Sequence, residues 1–363
     1  MEQQSHVYVA IMAGGIGSRF WPKSRIQQPK QFLDILGVGK TLLQSTYERF
    51  CKIVPSDHIY IVTGEIYSDL VKEQLPNIKD FQIVAEPMRR NTAPCIAYIA
   101  HKLQAKDPNA VFVVAPSDHL ILETETFVNI VEKAVTFASQ NDVLVTLGIN
   151  PTRPHTGYGY IQYDEDTENE NIYKVKTFTE KPTYDLAKTF LNSGDFLWNS
   201  GIFIWDVRCI IKAFETHQSD MNDLFSDTEK LFYNTEKEKD FIASAYSQSK
   251  SISIDYAIME HAENVQVIPA SFGWSDLGTW MSLWEKHTKD KEGNAYQGNN
   301  VMMYDSENCM VVAPKGKLVI VQGLQDYCVV DSEDVLMICN IEDEKKIKMM
   351  SRDVARLKRE RYS

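Results

Sequence analysis

Short β-branched runs alternate with longer helical patterns through the first half of the chain, and no other feature of the sequence narrows its fold as far. Val7–Met12 and residues 59–63, 81–84, 111–115 and 143–147 read as strands, each nearly continuous in apolar side chains. Between them Leu42–Phe50 and residues 66–75, 93–105 and 127–139 carry apolar residues at helical spacing. A strand apolar on both sides is buried on both sides, and an intervening helix supplies the crossover that a parallel neighbour needs. The expectation is an α/β fold: a Rossmann-like, mostly parallel sheet with helices on both faces. Farther along, residues 157–163 and 173–179 read as a strand pair joined by an acidic turn at 164–171, and helical patterns return around Leu186, Phe241 and Leu277. From about Asn299 short strands are punctuated by turn residues at 305–308, 315–316, 322–323 and 331–334, which predicts a small C-terminal β domain. A chain of 363 residues is then expected to hold two domains, residues 1–290 and a β-helix-like appendage at 291–363 ending in a helix. The charged tail at 341–361 reads as that helix with a solvated face; a homodimer contact through this C-terminal region is the alternative.

Charge and cysteine usage exclude several classes of function. A formal net charge of −12 opposes binding to a nucleic-acid backbone, which needs a broad basic surface. Against that background Arg19, Lys23, Arg25 and Lys30 fall in one short segment, where a small anion could sit. Apolar stretches such as Val7–Met12 are far shorter than the roughly 20 residues a membrane span requires, so no membrane span is expected. The amino terminus carries Glu2 and lacks a cationic segment followed by an apolar one, so no export signal is expected. Six cysteines, scattered and without a C-x-x-C pair, read as reduced thiols of a cytoplasmic protein.

The strand Val7–Met12 runs directly into Ala13-Gly14-Gly15-Ile16-Gly17-Ser18-Arg19. Glycines let the backbone turn tightly and approach a ligand, so that successive N–H groups can point at phosphate oxygens, and Arg19 adds a charged fork. A dinucleotide fingerprint needs a third glycine where Phe20 stands, which weakens a dehydrogenase reading. A Walker A loop ending at Gly39-Lys40-Thr41 needs a glycine where Asp34 stands. No histidine pair has metal-ligand spacing, and no Gly-x-Ser-x-Gly elbow is present.

The run Ala13-Gly14-Gly15-x-Gly17-x-Arg19-x-Trp21-Pro22, followed by Pro29-Lys30-Gln31-Phe32-Leu33, resembles the signature of the sugar nucleotidyltransferases, and within them the mannose-1-phosphate guanylyltransferases. Further matches follow in order: Glu86-Pro87 with Arg90-Asn91-Thr92-Ala93-Pro94, Pro116-Ser117-Asp118-His119, Gly157-Tyr158-Gly159-Tyr160-Ile161 and Phe178-x-Glu180-Lys181-Pro182. Trp198-Asn199-Ser200-Gly201-Ile202-Phe203, Ser253-Ile254-Asp255-Tyr256-Ala257 and Gly273-Trp274-Ser275-Asp276-Leu277-Gly278-Thr279-Trp280 complete the set. Ser18 departs from the threonine more usual there but keeps a hydroxyl. The resemblance implies a catalytic domain over 1–290 that transfers GMP from GTP to α-D-mannose 1-phosphate, giving GDP-mannose and pyrophosphate. No isomerase domain follows in the sequence as it stands, so guanylyl transfer without phosphomannose isomerisation is expected. Another nucleotide or hexose, or a non-catalytic regulatory subunit that binds nucleotide sugars, is the alternative.

In the implied reaction an oxygen of the sugar phosphate attacks the α-phosphorus of the triphosphate. A phosphate monoester has a second pKa of about 6 and is already ionised near neutrality, so no protein base is needed. The site must instead align two anions and neutralise the charge that develops on the leaving group. Mg2+ takes one or two carboxylates plus phosphate oxygens and water. Asp118 follows a strand end, where ligands bind in open α/β sheets, and the resemblance pairs it with Asp276 as metal ligands. Arg19 and Lys30 are expected to clamp the triphosphate, over a cradle of Ala13, Gly14, Gly15, Gly17 and Ser18. Glu86 and Asn91 are assigned to guanine, whose N1–H and 2-amino donors suit a carboxylate, and Ser117 to the nucleotide. Lys181 is expected at the sugar phosphate, with Gly157, Glu180 and Asn199 at the hexose hydroxyls.

Overall fold

Strand β1 (Val7–Met12) is the element around which the larger part of the molecule is organised, because nearly every residue on both of its faces is buried. The computed structural model describes residues 6–165, 171–332, 334–358 and 362. Residues 1–5, read above for an export signal, lie outside that set, as do 166–170 of the acidic turn and 359–361 of the tail. Two compact units are present. The first takes the described parts of Met1–Gly14, Thr46–Ser117 and Ile121–Trp274; the second takes those of Gly15–Ser45, Asp118–Leu120 and Ser275–Ser363.

In the first unit β1 pairs in parallel with β2 (Ile59–Gly64) and β4 (Val111–Pro116), and β2 with β3 (Ile83–Glu86). Alternate residues serve opposite faces. Tyr8, Ala10, Tyr60, Val62, Phe112 and Val114 join the core beneath the helix Thr92–Lys106, while Val9, Ile11, Ile61 and Val113 are equally buried on the other side. This is the parallel, doubly covered sheet expected from the strand composition.

The remaining strands make the sheet mixed. Strand β8 (Phe196–Asp206) lies antiparallel between β4 and β5 (Leu144–Ile149), and β9 (Val265–Ala270) runs parallel to β5. The expected hairpin forms as β6 (Gly159–Tyr163) against β7 (Tyr173–Glu180), and the nine strands take the order β3-β2-β1-β4-β8-β5-β9-β7-β6. Neither β8 nor β9 was apparent in the sequence pattern; in β8, Asn199, Ser200 and Gly201 interrupt the apolar run. Its register slips at that point, between Thr146 and Gly148 of β5, and Ser200 Oγ donates to the Leu147 carbonyl (2.7 Å). An irregularity of this kind re-aims side chains and is common beside active sites. Strand β3 also starts two residues later than expected, since residues 80–82 close into a single 3-10 turn in which the Gln82 side chain accepts from Lys79 N–H (3.0 Å). Glu86 is thereby the last residue of a strand.

In the second unit β10 (Ala295–Gln297), β12 (Met310–Val312) and β14 (Tyr327–Asp331) form one parallel ladder, and β11 (Val301–Tyr304) with β13 (Val319–Gln322) forms another. The chain alternates between the two ladders, as in the winding of a β-helix, and β15 (Leu336–Asn340) closes the first ladder antiparallel to β14. The final helix, residues 344–358, packs Ile347, Met350 and Val354 into a core with Phe20, Trp21, Leu277 and Trp280. Trp21 Nε1–H also donates to the Tyr362 carbonyl (2.7 Å). Among the described residues no helix is long and apolar enough to cross a membrane, and all six cysteines are free.

Candidate active site

The glycine-rich segment leaves β1 under tight backbone control. In the first unit Ala13 N–H donates to the Val62 carbonyl (2.7 Å), and Thr63 Oγ1 donates to the Ala13 carbonyl (2.9 Å). In the second unit Gln31 Nε2 donates to the Gly15 carbonyl (2.9 Å), Ser24 Oγ to that of Gly17 (2.5 Å) and Lys30 N–H to that of Ile16 (3.3 Å). Gly17 is left-handed, with φ 66° and ψ 38°, and a Cβ there would collide with the Cβ of Lys30. Only glycine satisfies both constraints. Beyond it Phe20 is fully buried against Trp280, with ring centroids 4.8 Å apart, while Arg19 is exposed and, among the described residues, without an ion-pair partner.

Lys30 is 2% exposed, and its ammonium gathers two distant segments of the second unit. Nζ donates to Asp118 Oδ2 (3.0 Å) and to the main-chain carbonyl of Asp276 (2.8 Å), and stands 5.4 Å from the centre of the Phe20 ring. An isolated bridge aligns the backbone: Leu120 N–H donates to the Ser275 carbonyl (2.8 Å) and Ser275 N–H to that of Leu120 (3.1 Å). The Asp276 carboxylate accepts from Gly278 N–H (3.0 Å) around a turn in which Leu277 has φ 43°. Burial would raise the Asp118 carboxyl, but the charges of Lys30 and His119 outweigh it and hold the group below the ordinary carboxylate range.

Of the residues expected at the nucleotide, Glu86 ends β3 and Ser117 follows β4, whereas Asn91 stands at a helix start. Glu86 is 8% exposed; its Oε1 accepts from Tyr246 O–H (3.1 Å), and its Oε2 lies 3.3 Å from where a Cβ on Gly14 would stand. Burial pushes its carboxyl up to about 7, against the opposing pull of the Tyr246 bond and Arg89. Asn91 caps the helix Thr92–Lys106, its side chain accepting from Thr92 N–H (2.9 Å) with its own φ at 67°. Ser117 is buried, with its N–H on the Met12 carbonyl (3.0 Å) and its carbonyl accepting from Thr46 Oγ1 (3.2 Å).

A second polar group of the same unit surrounds Gly159, where a Cβ would collide with Glu180 Oε2 and approach Asn199 Cβ to 3.2 Å. Glu180 pairs with Lys181, which has φ 49° and an exposed side chain. Gly157 N–H donates to His155 Nδ1 (3.1 Å). Asn199, on the irregular stretch of β8, donates from Nδ2 to Asp255 Oδ1 (2.9 Å) and accepts at Oδ1 from Gly201 N–H (3.0 Å). Sequence reasoning gave Asp255 no role, although the Ser253–Ala257 motif was the signal that held it. Burial, and then the charge of Glu180, push the Asp255 carboxyl up to about 6. Because Asp255 accepts from Asn199 Nδ2 and its charge opposes that of Glu180, Asp255→Leu, which removes the acceptor, is expected to lower stability by about 1–3 kcal/mol, whereas Asp255→Asn, which keeps an oxygen, is expected to cost less; thermal melting of the two variants tests it.

Among the described residues no three His, Cys, Asp or Glu side chains converge as an all-protein metal cage. The Asp118 and Asp276 carboxylates are oxygen donors of the kind a hard divalent cation takes together with phosphate oxygens and water.

The chain matches the Nucleotidyl transferase family over residues 8–293. It is 34% identical to a mannose-1-phosphate guanylyltransferase of Escherichia coli, covering 93% of this chain and 73% of that one. It is 35% identical to the alginate biosynthesis protein AlgA of Pseudomonas aeruginosa, covering 95% and 71%. A solved structure from Thermus thermophilus, named a mannose-1-phosphate geranyltransferase, superimposes with a TM-score of 0.85 at 28% identity over 96% of this chain and 99% of that one. The sequence motifs, the α/β sheet with its C-terminal β region and these similarities agree: the chain belongs to the nucleotidyl transferase family, among its mannose-1-phosphate guanylyltransferases.

Proposed function

We propose that the chain transfers GMP from GTP to α-D-mannose 1-phosphate, releasing pyrophosphate and GDP-mannose, with Mg2+ as cofactor and the cytoplasm as its setting. The observation that carries this reading is one buried lysine of the glycine-rich segment that holds both the Asp118 carboxylate and the main-chain carbonyl of Asp276. Asp118 and Asp276 hold the cation, which neutralises phosphate charge when bound. Arg19 and Lys30 clamp the triphosphate over a cradle of Ala13, Gly14, Gly15, Gly17 and Ser18. Lys181 takes the sugar phosphate, and Gly157, Glu180 and Asn199 take the hexose hydroxyls. Glu86, with Asn91 nearby in the sequence, reads the guanine edge, and Ser117 takes part in binding the nucleotide. Incubating the protein with Mg2+, each of four nucleoside triphosphates, and mannose or glucose 1-phosphate tests the reading through pyrophosphate release. Release with GTP and mannose 1-phosphate is expected; activity restricted to another nucleotide rejects the guanine assignment.

Glu86→Gln gives two separable readouts. The preference for GTP over ATP should fall about tenfold, the scale of one hydrogen bond to a charged group. Stability should also change with pH. A carboxyl raised from 4.5 to about 7 favours the fold fully below 4.5, and that contribution is lost as pH rises to about 7. The variant should therefore melt progressively higher relative to the parent as pH goes from 5 to 8, by up to about 3 kcal/mol. Parallel melting curves with no such divergence reject the buried, hard-to-ionise Glu86.

A further inference from the structure

Glu86 is tied to the helix Glu238–Gln248 through Tyr246, near the end of that helix. Tyr246 is fully buried, its ring edge-on to Tyr98 and Phe225, and its hydroxyl donates to Glu86 Oε1 (3.1 Å). Its main chain is pinned from the segment that follows Glu86. Arg90 Nε donates to the Tyr246 carbonyl (3.2 Å) and Arg90 Nη2 to that of Ser247 (3.4 Å), which satisfies carbonyls at the helix end. Ala93 N–H donates to the Ile252 carbonyl (3.1 Å) beyond it. Ring packing and these bonds therefore fix the hydroxyl independently of Glu86. We propose that Tyr246 is a positioning residue for base selection: its hydroxyl keeps Glu86 an ionised, acceptor-only carboxylate, the form that matches guanine, and disfavours the protonated form that matches adenine. The inference rests on the assignment of Glu86 to the guanine edge.

A carboxylate only accepts, and guanine presents two donors, N1–H and the 2-amino group. A protonated carboxyl has one donor and a free acceptor, and adenine presents an acceptor at N1 and a donor at its 6-amino group. One proton thus decides which purine the side chain fits. Burial raises the Glu86 carboxyl to about 7, so both forms are accessible near neutrality. The groups that face it come from three elements. Arg89, on the turn after β3, favours the charged form. Cys95, on the helix Thr92–Lys106, is a buried thiol whose ionisation burial and Glu86 both oppose, so it adds no charge. Tyr246 is kept protonated by burial and by Glu86, and supplies the donor. A hydrogen bond to a charged acceptor is stronger than one to its neutral form, so the tyrosine O–H stabilises the carboxylate selectively. Tyr246→Phe would retain the ring packing and remove only that donor.

The test measures kcat/KM for GTP and for ATP with mannose 1-phosphate, by pyrophosphate release, from about pH 6 to about pH 9. The ratio of the two cancels the ionisation of the phosphates, which both nucleotides share. In the parent the preference for GTP should rise at least about tenfold between about pH 6 and about pH 8. Tyr246→Phe should lower the preference about tenfold at about pH 7 and recover it toward about pH 9, so that its curve lies about one pH unit higher. A loss shared equally by GTP and ATP overturns the proposal, because a general structural defect spares neither substrate. A preference equal to that of the parent at every pH overturns it as well. If Tyr246→Phe does not fold, the parent alone decides: a GTP preference that does not change with pH overturns the proposal. Glu86→Gln separates the two levels, since an unchanged preference in that variant means that the base assignment itself fails. If Glu86→Gln lowers the preference and abolishes its pH dependence while Tyr246→Phe matches the parent, only the role of Tyr246 fails.

Discussion

Replacing Asp118 by Asn is expected to lower turnover by about a thousandfold while leaving the fold in place, and Asp276→Asn is expected to do the same. The fold survives for a stated reason in each case. An asparagine at position 118 would keep a side-chain oxygen for the Lys30 ammonium but not its counter-charge, so that variant is expected to fold with a lowered melting temperature, whereas position 276 meets Lys30 through its main-chain carbonyl, which a side-chain change does not remove. Under the proposed metal role each substitution removes one of two negative oxygen donors, a large loss for a hard dication. Pyrophosphate release at saturating substrates measures the rate, and circular dichroism with thermal melting checks the fold. Near-normal turnover in a folded variant removes that residue from the metal site.

Gly17→Ala should be the most damaging single methyl group that can be added to the loop. The residue must keep φ at 66°, a conformation that costs an L-residue about 1–2 kcal/mol, and its new methyl must displace Lys30 Cβ, an atom fixed to the backbone. With the overpacking cost included, the loss of stability is expected near about 3 kcal/mol. Lys30 links the Asp118 carboxylate to the main chain at Asp276, so its displacement propagates to both segments. A misplacement of about an ångström is worth roughly a hundredfold in rate. Gly15→Ala is the control, because a Cβ there meets no atom within 4 Å and its φ is not positive. Its melting temperature should match the parent to within about 0.5 kcal/mol of stability. Equal melting temperatures for the two variants would show that the strain at Gly17 is not what shapes the loop.

Much of this could be read directly from residues. Strand β1 and the helix Leu42–Phe50 occupy the expected positions without shift, and the parallel half of the sheet follows from strands apolar on both faces. The motif set led to the family, and the residue types, carboxylates for a hard cation and glycines for a phosphate, led to the chemistry. The antiparallel β8 was hidden because Asn199, Ser200 and Gly201 break its apolar run at the stretch that turns Asn199 toward Asp255. A polar irregularity in a strand erases the periodicity by which strands are recognised.

The sequence by itself determined the alternating α/β core, the glycine loop and the identity of the acidic and basic groups available for chemistry, because local periodicity and residue type act within a few turns of chain. Only the tertiary structure decided which charges neutralise one another: that Lys30 is buried on Asp118 and the Asp276 carbonyl, that Glu86 is sealed beneath Tyr246, and that Asp255 stands behind Asn199. Those outcomes depend on burial and on contacts between segments far apart in the chain. An ionisable side chain's behaviour is set by the solvent it loses and the partner it meets, and neither is encoded in its immediate neighbours.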